Sequence, residues 1–287
     1  MNYSKEHVRY LKRLRGKKAG IAAGRVAVVI AFFGLWEALT ALGALDSFIT
    51  SSPSRMAVKL VELFQTGDLL YHMGITLAET VLSFVLATGI GMLIAVFLWW
   101  FATARKILEP HLVILNALPK IALGPVIIIW VGAGTAAIIV MALLISLIIT
   151  IINTLQGFLS VDEGKLRLFK TMKANKFQTL TKLVLPASIP NVIAVLKVNV
   201  GLCWVGTIMG EYLVSKAGLG YLIIYGGTIF DLDIVMTATV VLCILAAAMY
   251  YLVVGAEKLI SRKFKFDVWR AGQTKACGGS PPQVKTP

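Results

Sequence analysis

Residues 121–161 read IALGPVIIIWVGAGTAAIIVMALLISLIITIINTLQGFLSV and contain no charged residue over 41 positions. A helix needs about 20 apolar residues to cross the hydrocarbon layer of a membrane, so this run is roughly two spans long and has to fold back on itself. The GAG tripeptide at 132–134 is the natural turn, because glycine adopts backbone conformations that other residues avoid. The run therefore predicts one helix near 108–131 and a second near 135–158.

The first of these two helices contains prolines at positions 119 and 125. Proline lacks the backbone N–H that an inner helical turn needs, so this helix is predicted to be kinked or broken. Lipid offers no hydrogen bonds, and the carbonyl groups freed by the break need partners within the protein.

The composition extends this prediction to the whole chain. Of its 287 residues, 58% are hydrophobic and 15% are charged, and the mean hydropathy is +0.83. Soluble globular proteins carry about 25% charged residues, so the composition indicates an integral membrane protein. Together with the pair above, further apolar runs predict an all-α bundle of six transmembrane helices; these runs lie near 26–45, 80–104, 187–211 and 234–256.

The formal net charge of +14 follows a clear pattern along the chain. With six spans, 23 of the 28 lysine and arginine residues fall on the side that holds both termini, and three fall on the opposite side. Basic residues concentrate on the cytoplasmic side of membrane proteins, so both termini and the loop at 159–185 are predicted to be cytoplasmic. This topology accounts for the charge, and no nucleic-acid partner is predicted. Residues 1–25 form a basic segment, and 259–287 form a partly disordered tail.

A basic amphipathic stretch, LRLFKTMKANKFQTLTKLVLPASIP at 166–190, lies in the loop before the fifth span. Its apolar residues recur at helical spacing before and after KAN at 173–175, which predicts two short helices with a break. The proline at 186 is predicted to end the second helix at 185. On these residues alone, a loop lying on anionic membrane lipid is an equal alternative.

A longer stretch, residues 174–223, carries a specific combination of features. An amphipathic helix is followed by V-x-L-P-x-x-x-P, a basic residue in the next span, an acid at the end of that span, and GLG. The residues concerned are Ala174, Gln178, Val184, Leu185, Pro186, Pro190, Lys197, Glu211, Gly218, Leu219 and Gly220. This combination resembles the signature of permease subunits of ATP-binding-cassette (ABC) importers. The stretch at 118–134 is similar to the third span of their nitrate, sulfonate and taurine branch, and the resemblance covers roughly 26–258.

The resemblance implies the type I ABC importer permease fold, with a cytoplasmic coupling loop at 160–185 that docks in a groove of the ATPase subunit. The implied coupling residues are Phe169, Met172, Lys173, Ala174, Asn175, Phe177 and Leu180. The residues of the structural signature are Pro186, Pro190, Lys197, Gly218 and Gly220. The chain departs from the family at Lys173, where glycine is usual, and at Arg167, Leu168 and Phe169, where the family has a glutamate and two alanines. We expect an acid or exposed helix carbonyls in the ATPase groove opposite Lys173.

Polar residues within the spans are the candidates for a translocation path, which two copies of the fifth span line in this class. They are Lys120, Asn153, Asn199, Trp204, Thr207 and Glu211. Each has a structural alternative. Lys120 either attracts an anion or makes an ion pair or carbonyl contact within the bundle. The two asparagines also suit hydrogen bonds between helices, and Glu211 suits the amides of the turn that follows it.

No phosphate-binding G-x-x-x-x-G-K-[ST] motif and no metal-ligand spacing occur in the sequence, so no catalytic residue and no bound cofactor are predicted. The resemblance implies that ATP and Mg²⁺ bind to partner ATPase subunits. It also implies a second permease copy, an extracytoplasmic solute-binding protein, membrane lipid and the bacterial inner membrane. Small anions such as nitrate, alkanesulfonates or taurine are the implied solutes, although related branches carry thiamine precursors, riboflavin or aromatic acids. A gradient-driven carrier or channel is the alternative class, for which inverted repeats would be expected, and a membrane scaffold without transport is a third.

Overall fold

The computed structural model describes residues 5–44 and 46–263, and every regular element within them is a helix. Residues 1–4 and most of the predicted disordered tail, from 264 onward, lie outside this range. The helices are α1 (Lys5–Ala41), α2 (Ser47–Thr50), α3 (Pro53–Gln65), α4 (Asp68–Trp100), α5 (Ala102–Ala117), α6 (Gly124–Val131), α7 (Thr135–Leu159), α8 (Glu163–Thr171), α9 (Lys176–Thr179), α10 (Leu185–Val214), α11 (Leu219–Thr228) and α12 (Leu232–Lys263).

Four helices of the described chain are long and apolar enough to cross a membrane: Asp68–Trp100, Thr135–Leu159, Lys176–Val214 and Leu232–Leu259. A fifth span is formed by α5 and Lys120–Val131 if this pair, bent by 85°, counts as one. The predicted first span corresponds to the apolar part of α1, Ala27–Ala41, which is shorter than 18 residues. The structure therefore supports four or five spans where the sequence predicts six.

The predicted turn at GAG is confirmed. Gly132 and Gly134 have φ values of 90° and 137°, and they separate α6 from α7. The prediction for Pro186 was wrong, because the chain continues through this residue as a helix. Residues Leu180–Val184 form a π-helical turn that leads directly into α10, where Pro186 occupies the first turn. The Leu185 N–H bonds to the Leu180 carbonyl across the π-helical turn, and Pro186, which has no N–H to donate, follows directly.

The chain forms two compact units whose boundaries fall within α4, between α10 and α11, and within α12. One unit comprises the chain up to Gly74 together with Ala217–Val241, and the other comprises Ile75–Lys216 and the chain from Leu242 onward. The segment 212–233 contains α11.

Polar contacts connect α3 to the start of α12 in the first unit. Asp233 receives hydrogen bonds from Arg55 and from the Ser51 hydroxyl, both at 2.7 Å. Burial lowers the pKa of Lys59, but its hydrogen bonds and charge interactions with Glu62 and Asp231 outweigh this effect and leave the pKa above its ordinary value. Two ion pairs, Arg55–Asp233 and Lys59–Asp231, thus connect α3 to the start of α12 in this unit.

Close packing of α7 against α10 forms the centre of the second unit. Gly206 and Gly210 of α10 lie against Ala142 and Ile138 of α7, and a Cβ atom at Gly210 would lie 2.8 Å from the Ile138 Cα. Small residues at this spacing let two backbones approach closely, which is how helices pack in membranes without a hydrophobic driving force.

We expect Gly206→Ala to destabilise the protein by about 1–3 kcal/mol, because the added methyl group would overlap the Ala142 backbone. The matched control is Gly89→Ala on α4, where no atom lies within 4 Å of the added group and helix propensity improves. Thermal unfolding of the purified full chain measures both variants. Equal stability of the two variants would show that the α7–α10 contact can relax.

Candidate functional site

The segment between α7 and α10 forms an elbow of two short helices, and the predicted break at KAN is confirmed. Asp162 caps the start of helix α8, and its carboxylate accepts the N–H of Lys165 at 2.9 Å. At its other end, Lys173 has a φ of 56°, in the left-handed region. The N–H of Ala174 bonds to the carbonyl of Phe169, and the N–H of Lys173 bonds to that of Lys170, both at 3.0 Å.

These two hydrogen bonds define a Schellman motif, in which the residue after the cap is usually glycine because a left-handed conformation strains other side chains. The structure thereby explains the glycine that the family usually has at this position. Lys173 adopts the same backbone geometry and places a charged side chain at the tip of the elbow.

Helix α9 begins with a capping box. The side chain of Asn175 accepts the N–H of Gln178 at 2.7 Å, and the Gln178 side chain accepts the N–H of Asn175 at 2.9 Å. This reciprocal pair satisfies two N–H groups that a helix start leaves open. Asn175 therefore fixes the direction in which the chain leaves the break.

The apolar residues of the elbow divide into two groups. Leu180 and Val184 are buried in a core cluster with Leu98 and Phe158, whereas Phe169 and Ala174 are half-buried. Met172 and Phe177 are 71% and 63% exposed. Exposed apolar side chains on both sides of the break are typical of a surface that a partner covers.

Lys176 contacts Trp100, the last residue of α4. Its ammonium group donates to the Trp100 carbonyl and lies 5.5 Å from the centre of the Trp100 ring. No local sequence pattern indicates this contact, because the two residues are 76 positions apart.

Lys120 lies where the predicted broken helix is confirmed. Helix α5 ends at Ala117, and Lys120 begins a 3₁₀ turn that precedes α6. The Lys120 ammonium group donates to the carbonyl and the side-chain oxygen of Asn116, at 3.0 and 3.2 Å. It thus binds a carbonyl group that the break leaves free, which is one of the two roles considered for it.

The asparagines of the fourth and fifth predicted spans connect helices. Asn199 is fully buried, accepts from the Thr150 hydroxyl at 2.8 Å and donates to the Thr88 hydroxyl at 3.3 Å, so it joins α10 to α7 and α4. At half-buried Asn153 the backbone carbonyl, not the side chain, makes the contact: it accepts from the side-chain amide of Asn191 at 2.9 Å.

Three further path candidates on α10, Trp204, Thr207 and Glu211, are buried inside the protomer. The Glu211 carboxyl group is hydrogen-bonded to that of Glu79 on α4, which is also bonded to the Thr135 hydroxyl at the start of α7. A different face of α10 is exposed and apolar: it contains Ala194, Val198, Gly201 and Val205. The assignment of the polar residues to a translocation path stays a prediction.

The remaining residues of the predicted signature either make contacts within the protein or occupy positions inside its helices. Lys197 forms an ion pair with Glu257 of α12 at 2.5 Å. Gly218, with a φ of 118°, begins α11 and donates its N–H to the Nδ1 atom of His72 at 2.8 Å. Gly220 is buried within α11, and Pro190 lies inside α10.

Comparison with known proteins gives consistent matches. Residues 87–266 match the family described as the binding-protein-dependent transport system inner membrane component. The chain is 27% identical to the putative aliphatic sulfonates transport permease protein SsuC of Bacillus subtilis, over 69% of this chain and 70% of that protein. It is 30% identical to a probable ABC transporter permease protein of Haemophilus influenzae, over 76% and 88%. It is 23% identical to the taurine transport system permease protein TauC of Escherichia coli, over 80% and 84%.

A solved structure supports the fold independently. A chain of the MetNI methionine ABC transporter in an inward-facing conformation superposes with a TM-score of 0.59 at 22% identity, covering 70% of this chain and 97% of that one. The family match covers more than half of the chain, and it includes the elbow, α10 and α12. The chain therefore belongs to the family of inner membrane components of binding-protein-dependent transport systems.

Proposed function

We propose that this permease component of an ABC importer forms, with a second copy of itself, the path by which a small anionic solute crosses the bacterial inner membrane. The observation that carries the proposal is the elbow at residues 163–184. Its break is fixed by a left-handed Lys173 and the Asn175 capping box, and it exposes Met172 and Phe177.

The elbow is suited to be the segment of the permease that an ATPase subunit binds and moves. ATP and Mg²⁺ bind to that partner, and ATP binding draws the two elbows of the permease pair together. Because the π-helical turn continues directly into α10, a displacement of α9 is transmitted to a helix that crosses the bundle. ATP can drive such a change only if it binds more tightly to one of the two states.

The exposed face of α10 supports the pairing of two copies. Ala194, Val198, Gly201 and Val205 form an apolar stripe at helical spacing, and the buried polar residues lie on the other faces. In the pair, this stripe lines the path or the contact between the copies. Charge asymmetry supports cytoplasmic termini, with the solute-binding protein on the opposite side and membrane lipid around the bundle.

The proposed class of solute is based on the names of the related proteins. The names of two of them state aliphatic sulfonates and taurine, and a third, 26% identical, is the riboflavin transport system permease protein RibX of Chloroflexus aurantiacus. Sulfonates and taurine share a compact anionic head group. A thermal-shift screen of the partner solute-binding protein against sulfonates, taurine, nitrate and riboflavin tests this step, and stabilisation by riboflavin alone would contradict it.

We expect the full chain to co-purify with a co-expressed partner ABC ATPase subunit, and Phe177→Asp to abolish that complex because it places a charge in an apolar contact. Phe64→Asp, at another exposed phenylalanine outside the elbow, is the matched control and should retain the ATPase. Size-exclusion chromatography with ATPase assays provides the measurement. Loss of the complex in both variants would indicate general damage, and retention in both would remove the elbow as the docking surface.

Substitutions at Lys173 test the contribution of backbone geometry and the contribution of charge separately. We expect Lys173→Gly to stabilise the isolated chain by about 0.5–1 kcal/mol, because relief of left-handed strain exceeds the added entropy of the unfolded chain. Lys170→Gly, within the last turn of α8, is the matched control and should destabilise the chain by about 1 kcal/mol. Thermal unfolding distinguishes the two, and the same sign in both variants would contradict the role of the left-handed cap.

Charge at the same position is tested by docking. Lys173→Asn tolerates the left-handed conformation without the charge, and we expect it to weaken the ATPase complex, with Lys173→Glu weakening it further. A complex that stays intact and active with Lys173→Glu would show that no acid or helix carbonyl in the ATPase groove faces this residue.

A further inference from the structure

Two glutamates meet in the interior of the second unit. Glu79 of α4 and Glu211 of α10 are 4% and 1% exposed, and their carboxyl groups are hydrogen-bonded to each other. The Thr135 hydroxyl of α7 binds Glu79 as well, so three helices converge on this point.

A hydrogen bond between two carboxyl groups requires a proton. An ionised carboxylate has only acceptor atoms, so two ionised glutamates in contact repel each other. Burial adds to this cost, because an isolated charge in a low-dielectric interior is strongly disfavoured. A pair that holds one proton forms a short charge-assisted hydrogen bond and carries one negative charge instead of two.

Buried polar atoms beside the pair have open hydrogen-bonding capacity. Within residues 46–263, no hydrogen-bond partner is present for Glu79 Oε2 or for the hydroxyls of Ser83 and Thr207. Ser83 follows Glu79 by one helical turn, and Thr207 precedes Glu211 by one turn, so each hydroxyl lies on the same helix face as its glutamate. Both side chains are fully buried. These atoms leave hydrogen-bond donors and acceptors unused on the two helix faces that carry the glutamates.

Within the described residues, few other ionisable groups occur close to Glu79 and Glu211 along the helices that carry or adjoin them. Helix α7 contains none in its sequence. On α10, Tyr212 is adjacent to Glu211 and lies in its field, and Lys216 is exposed five residues further on. On α4, His72 lies two turns before Glu79 and accepts the Gly218 N–H, and Lys120, before α6, is bonded to Asn116.

We infer that Glu79 and Glu211 form a binding site for a single shared proton that joins α4 to α10. This site is separate from the ATPase-docking elbow and does not depend on the identity of the transported solute.

Infrared spectroscopy of the purified full chain in phosphatidylcholine nanodiscs tests the site, because only a protonated carboxyl group gives the carboxylic-acid C=O band. We expect this band at neutral pH in the wild type, and we expect it to shift when glutamate is labelled with ¹³C at its side-chain carboxyl group. Glu79→Gln and Glu211→Gln should each remove the band. Glu109→Gln, at an exposed glutamate of α5, is the matched control and should leave it unchanged.

Three outcomes would overturn the inference. The band is absent from the wild type at neutral pH, or it persists in both glutamine variants. Alternatively, it appears only when Na⁺ is replaced by choline, which would assign the site to a metal cation. If a glutamine variant fails to fold, isotope labelling of the wild type still decides whether a glutamate is protonated.

The pH dependence of stability provides a second test. Glutamate in an unfolded chain has a pKa of about 4.3, so at neutral pH folding takes up a proton at the pair. Above about pH 4.3 the stabilisation therefore decreases as the pH rises, until the folded chain loses the shared proton; in this range the unfolding constant changes by up to about tenfold per pH unit. Glu79→Gln donates an amide hydrogen bond in place of the proton and should remove this slope. An unchanged slope in Glu79→Gln would contradict the inference.

Discussion

Because Gly206 and Gly210 have no side chain, the backbone of α10 lies against Ala142 and Ile138 of α7. This contact sets an antiparallel register that the polar pairs on either side of it follow. Asn199 meets Thr150 on one side of the contact, and Glu211 on the other side lies in the group that includes Thr135. Any change of register between the two helices would separate both polar groups at once, and membrane lipid offers them no alternative partner.

Helix α4 makes polar contacts at the same two positions along the α7–α10 contact, which we call the two polar levels. Thr88 binds Asn199, and Glu79 binds Glu211, so each level connects α4, α7 and α10 through one polar group from each helix. A hydrogen bond between membrane helices contributes only about 0.6 kcal/mol on average. These hydrogen bonds matter here for specificity. The apolar surfaces of α4 and α10 would pack in several registers, whereas the polar groups at both levels meet in only one register.

Sequence reasoning succeeded where a local rule decides the structure. Three features are local: the turn at 132–134, the break after α8 and the irregular backbone at Lys120. Each depends on glycine, proline or helical spacing within a few residues. The interpretation of Pro186 failed because a π-helical turn, which carries no recognised sequence signal, moved this residue into the first turn of the next helix.

The arrangement of the spanning helices was harder to predict from the sequence. A helix that is apolar all round gives no periodic signal for which face is buried, so the exposed stripe of α10 could not be separated from its interior face. The polar residues were identified as exceptional, but their partners lie far away in sequence: 49 positions separate Thr150 from Asn199, and 111 separate Thr88 from Asn199. Such pairs depend on the register between helices, which a single sequence does not determine.

The same register limits how the elbow can move the bundle. Leu180 and Val184 of the π-helical turn are packed with Leu98 of α4 and Phe158 of α7, so α9 cannot shift freely relative to those helices. The chain from Lys176 to Val214 forms one candidate span of 39 residues, with its only non-α turn at Leu180–Val184. A force applied at the elbow therefore either bends this turn or moves α4, α7 and α10 together. The close α7–α10 contact and the two polar levels favour the second outcome, in which the three helices move as a rigid group and the path changes at their exposed face.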